Sequence, residues 1–98
     1  MSGFFFKIEM GLNKIEHIGI AVKDLNASEK VYELLLGRSS YKREKVESEG
    51  VETLFFKAGD NKVELLAALN DESPIAKFIA KKGEGIHHIA FDVENIED

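Results

Sequence analysis

The chain has 98 residues, is 44% hydrophobic and 32% charged, and carries a net charge of −5. That suits one domain with one modest core and argues against a nucleic-acid partner. There is no Cys, which excludes disulfides and thiolate metal sites and is compatible with a reducing, cytoplasmic setting. No apolar run approaches the ~20 residues of a membrane span, so no membrane partner is expected.

Residues 1–13 read as an N-terminal extension. Its "MSGFFFKIEM" lacks the pattern of a secretory leader, and Met10 is an alternative start. "IEHIGIAV" (15–22) is rich in β-branched residues and predicts a strand. "DLNASEKVYELLLG" (24–37) predicts a helix. Asn26 with Glu29 makes a capping-box pattern, Asp24 is the alternative cap, and Gly37 suits the C-terminal cap. Ala27, Val31, Leu34 and Leu35 recur at helical spacing and predict its buried face.

Three strands are expected next, over 41–46, 51–57 and 62–67. The turn signal "AGDN" joins the last two as a hairpin. "RSSYKREK" (38–45) is locally basic and reads as a solvated strand edge before it reads as a phosphate contact. "ESPIAKFIAKKG" (72–83) predicts a second helix, with Ser73 as cap, Pro74 at the first position and Gly83 at the end. Ile75, Phe78 and Ile79 form its apolar face. A strand over 86–93 follows, and "ENIED" (94–98) reads as the entry to another helix. The order is β-α-β-β-β plus the first strand of a second such unit, an α+β fold.

The chain repeats itself. "HIGIAVKDLN" begins at His17 and "HIAFDVENIE" at His88, 71 positions later (88 minus 17). Alternation puts Ile18, Ile20 and Val22 under a helix and His17, Gly19 and Ala21 on the other face. In the second copy, Ile89, Phe91 and Val93 are expected under a helix, with His88 and Ala90 opposite. In each copy a histidine shares its face with small residues, as in a cavity wall. His87 falls on the apolar side in this scheme and reads as structural or as a support for His88.

Glu64 lies in the apolar strand "KVELLAAL". An ionised carboxylate there is costly unless it is paired or metal-bound; an outward-facing, exposed Glu64 is the open alternative. His17, Glu64 and His88 are three N/O donors of the kind that suits Zn, Co, Mn or Fe.

"IEHIGIAVKDL" and "VELLAALNDESPIAKFIAKKGEGIHHIAFDV" resemble the glyoxalase/bleomycin-resistance (vicinal oxygen chelate) superfamily over 14–98 and, within it, the methylmalonyl-CoA epimerase family. The resemblance implies two βαβββ modules around a metal-lined cavity, the second module incomplete at the C-terminus of this chain. It implies metal ligands at His17, Glu64 and His88, with a last ligand, a Glu, in a strand beyond Asp98. It implies a divalent metal ion (Co2+, or Zn2+ or Mn2+), an acyl-CoA substrate and a homodimer. The implied reaction is metal-dependent epimerisation of (R)- and (S)-methylmalonyl-CoA through a metal-stabilised enolate. A catalytic Glu of some relatives aligns with Thr53, and the adjacent Glu52 should face the opposite way. The alternatives are a glyoxalase I-like lyase and a non-catalytic small-molecule-binding protein of the same fold.

Overall fold

The computed structural model describes the backbone of residues 10–95 and the side chains of residues 14–93. The order is β1 (Met10–Ala21), α1 (Leu25–Leu36), β2 (Lys42–Val46), a 3-10 turn (Glu47–Glu49), β3 (Val51–Ala58), β4 (Asn61–Ala68), α2 (Pro74–Lys82) and β5 (Gly85–Asn95). The strands form one sheet ordered β2-β3-β4-β1-β5. β1 is parallel to β4 and antiparallel to β5, and β2, β3 and β4 form an antiparallel meander. This is the βαβββ module plus one further strand that the sequence predicts. The N-terminal residues 1–9 and the last three, 96–98, lie outside the described residues. Residues 10–13 continue β1, and Glu94 and Asn95 end β5 rather than opening a helix.

The two helices cover opposite faces of the sheet. Val22, Leu25, Leu54, Phe56, Leu65 and Ala67 form a dry cluster on the α1 side, joined by Ile20, Tyr32, Leu36 and Val63. Ala21, Val51, Leu66 and Ile75 form a second cluster under α2, joined by Phe78 and Ile79 as the spacing predicts. Strand alternation explains the split, since Leu54 and Phe56 point one way and Val51 the other. Burying Phe56, which is 0% exposed, contributes about 1.5–3 kcal/mol.

The helix ends follow local chemistry. Asp24 Oδ1 accepts from the Ala27 N–H at 3.0 Å, so Asp24 is the cap. Asn26 does not cap; its Oδ1 accepts from Arg43 Nη2 at 2.6 Å. Gly37 closes α1 with φ 70°, a backbone region that glycine enters without strain. Ser73 caps α2 through the Ile75 N–H, with Pro74 next.

The buried face of α1 differs from the expected one. Val31, Leu34 and Leu35 are 53%, 86% and 70% exposed, and Ala27 is exposed too. The inward face runs through Leu25, Tyr32 and Leu36. Both stripes have helical spacing, so periodicity alone does not choose between them. Leu25, seated behind the Asp24 cap and packed on the sheet, fixes the helix's rotation. The apolar side of β5 also departs from expectation: Ile89, Phe91 and Val93 are 45%, 52% and 40% exposed, because no described helix lies over them.

β1 and β5 do not pair in simple register. Ile15 pairs with Phe91 and His17 with Ala90, which leaves Glu16 as an extra residue on β1. Gly19 pairs with His88 and Ile20 with Ile86, which leaves His87 as an extra residue on β5. Each is a β-bulge, which re-aims a side chain that strict alternation would send to the other face.

Candidate metal centre

The α2 face of the sheet is covered at one end and open at the other. The open part is a cleft of about 760 Å³ whose lining includes Thr53, Phe55, Glu64, Leu66 and His88. Three strands bring His17, Glu64 and His88 together. Gly19 on β1 pairs with Glu64 on β4 and with His88 on β5, so all three share a face with His17, two residues away. The absent side chain at Gly19 is required, since a Cβ there would overlap the His88 ring.

His17 Nε2 lies 3.0 Å from His88 Nε2, and Glu64 Oε1 lies 3.4 Å from each of them. The rings meet edge to face, with centroids 5.1 Å apart. On its far side His17 Nδ1 sits 2.6 Å from Glu16 Oε1, and Lys62 Nζ holds Glu16 Oε2 at 2.8 Å. The Lys62 hydrogen bond, then that of His17, holds the Glu16 carboxyl down to about 2, and Glu16 in return raises Lys62. An ionised carboxylate only accepts, so His17 donates from Nδ1. Burial is the main influence on His88 and pushes it below the ordinary imidazole range, outweighing the opposing pull of Glu64.

This donor set fits a divalent ion. With bonds of about 2.0–2.2 Å, adjacent octahedral or tetrahedral ligands of one ion stand about 2.8–3.6 Å apart. The three atoms stand 3.0–3.4 Å apart. Among the described residues they are the group of His, Cys, Asp or Glu donors able to share an ion.

The sequence profile of the glyoxalase/bleomycin resistance protein/dioxygenase superfamily matches residues 16–98. The chain belongs to this superfamily. An uncharacterized protein of Bacillus subtilis is 44% identical over 82% of this chain and 57% of its own length. The human mitochondrial methylmalonyl-CoA epimerase is 38% identical over 87% of this chain and 49% of its own. A Streptomyces coelicolor methylmalonyl-CoA epimerase variant, solved in complex with 2-nitronate-propionyl-CoA, matches with a TM-score of 0.75 and 37% identity, covering 83% of this chain and 62% of that one. The chain spans about half the length of the curated relatives it matches.

Within this superfamily chain the remaining site residues sort by strand face. Thr53 faces the cleft, and its hydroxyl donates to the Glu44 carbonyl at 3.4 Å. Glu52 faces the α1 side, where Arg43 Nε holds it at 3.1 Å, as alternation predicts. Lys42 and Arg43 are engaged with Glu44, Glu29 and Glu52, in keeping with a solvated edge. Four carboxylates that the sequence does not single out, Glu44, Glu47, Glu49 and Glu72, line the cleft. For Glu44 the signal is the pairing of β2 with β3, which puts it opposite Thr53. His87 is a correction. It does not lie on the apolar side of β5, because the bulge turns it toward the cleft, with its Nδ1 2.9 Å from His88 Nδ1 and its ring edge-on to Phe78.

Proposed function

We propose that this chain acts in the epimerisation of (R)- and (S)-methylmalonyl-CoA, with His17, Glu64 and His88 holding a divalent ion of the Co2+, Zn2+ or Mn2+ class. The observation that carries the reading is the convergence of two imidazole nitrogens and one carboxylate oxygen beside an open cleft that Glu64 and His88 line. The activity named for the human and Streptomyces coelicolor relatives supports it. When bound, the ion supplies Lewis-acid stabilisation of negative charge developing on the substrate.

The chain's own groups do the rest. The imidazoles of His17 and His88 and the Glu64 carboxylate orient the acyl end. Phe55 and Leu66 give the cleft an apolar wall. Epimerisation removes a proton from one face of C2 and returns one on the other, so it needs acid–base groups on both sides. Glu44, Glu47, Glu49 and Glu72 are the cleft carboxylates from which one such group is drawn; Thr53 has no ionisable group and Glu52 faces away. A homodimer in the cytoplasm belongs to the same proposal, which light scattering and fractionation test.

The test is exchange at C2. Co2+-loaded protein in heavy water is expected to place deuterium at C2 of methylmalonyl-CoA, and His88→Ala to abolish it. No exchange from protein that carries one Co2+ per chain refutes the epimerase reading and leaves the binding-protein alternative.

A further inference from the structure

The residue before each paired histidine occupies the same place in the repeat. Glu16 precedes His17 and His87 precedes His88, in "IEHI" and "IHHI". In a regular strand neither would share a face with the histidine that follows it. Both are the extra residue of a β-bulge, and both reach the Nδ1 atom of the next imidazole: Glu16 Oε1 at 2.6 Å from His17, His87 Nδ1 at 2.9 Å from His88. Each is anchored in turn, Glu16 by Lys62 at 2.8 Å and His87 by the edge of Phe78, with ring centroids 4.9 Å apart.

We infer that Glu16 and His87 are a matched pair of positioning residues, each accepting the Nδ1 proton of its neighbouring histidine when an ion held with Glu64 draws both Nε2 lone pairs. The inference rests on the metal-site reading for its purpose, though not for its geometry. A ligating histidine generally gives its other ring N–H to an acceptor that fixes tautomer and ring orientation. Here the two acceptors differ in kind. Glu16 is a carboxylate and makes His17 the more electron-rich donor. For His87 to accept, its own proton must sit on Nε2, and a neutral imidazole polarises His88 less. The two ligands are therefore unequal, with His17 the stronger. The second histidine in "IHHI" does the work assigned to a ligand, and the first holds it.

The test is long-range proton–nitrogen correlation on the metal-free and the Zn2+-loaded chain, together with calorimetric titration of Co2+. In the metal-free wild type His17 is expected to be protonated at Nδ1 and His88 at Nε2, which lies 3.0 Å from His17 Nε2 and donates to it; Zn2+ should draw both Nε2 lone pairs and move the His88 proton to Nδ1, against His87. Glu16→Ala should release His17 to the Nε2–H tautomer and lower Co2+ affinity by about 10–100-fold, the usual range for such partners. Glu16→Gln keeps a carbonyl acceptor and should retain the Nδ1–H tautomer with a smaller loss. His87→Ala should shift only His88 and cost less affinity than Glu16→Ala. Retention of the His17 Nδ1–H tautomer in Glu16→Ala, or affinity within about threefold of wild type, overturns the inference. A wild-type chain that takes up no Co2+ refutes the metal-site reading instead, and the tautomer shifts then decide the positioning role by themselves.

Discussion

β1 and β5 carry the same pattern and live in different surroundings. β1 has a hydrogen-bonded neighbour on each edge, and its apolar side packs under α1 through Ile20. β5 is paired on one edge, and its matching Ile89, Phe91 and Val93 are 40–52% exposed. Yet both deliver a histidine to the same point, 3.0 Å apart. The direction of a side chain is set by strand alternation and a bulge, both local. Its burial depends on what other elements lie above. A repeat therefore transmits site geometry more faithfully than it transmits core.

The largest effect that separates the two strands' surroundings is on stability. Phe56→Ala, under α1, should cost about 3–5 kcal/mol in a urea titration, whereas Phe91→Ala on β5 should stay within about 0.5 kcal/mol. Comparable losses from both would mean that the exposed side of β5 is packed in solution. Next comes the shared point itself. Gly19→Ala should displace the His88 ring, costing about 1–3 kcal/mol of stability from the overpacked contact. Co2+ affinity should fall with it, while Ala90→Gly, on the same face but outside the ligand set, should leave the affinity in place. Equal affinities for Gly19→Ala and wild type would remove Gly19 from the account.

Cap chemistry gives a smaller difference. Asp24→Ala should cost about 1 kcal/mol and Asn26→Ala less, because Asp24 satisfies the Ala27 N–H while Asn26 holds only Arg43 at the surface. The reverse order in thermal melts would restore the capping box. The smallest effect is on pH. Burial holds His88 below its ordinary 6.5, so the unfolded chain binds a proton there that the fold resists. Metal-free stability should therefore fall as pH drops below about 6.5 and recover above it, and His88→Gln should flatten that slope. A stability that rises on acidification through this range would show that the ring is held charged.

Much of this was legible in the residues, for physical reasons. The helix caps at Ser73 and Gly83, the "AGDN" hairpin and the facing of His17 and His88 all follow from local rules that a strand or helix cannot evade. Glu64 was legible only as a choice between a paired carboxylate and an exposed one, and the register of β4 beside β1, with Gly19 opposite Glu64, decides it. What was not legible is phase. Two apolar stripes on α1 share one period, and only the seating of Leu25 chooses between them. Bulges were hidden as well, because one extra residue alters no hydrophobic pattern. The clue was present, since Glu16 and His87 are the polar residues at equivalent places in the repeat. Reading them as partners requires knowing that alternation fails there.

The most direct test of the metal centre is a titration of the metal-free chain with Co2+, followed by the visible absorption of the bound ion. One Co2+ per chain is predicted, with the absorption lost in His17→Ala, Glu64→Ala and His88→Ala and kept in Glu52→Ala, whose carboxylate faces the other side of the sheet. Binding that survives all three ligand replacements, or no binding by the wild-type chain, would contradict the account.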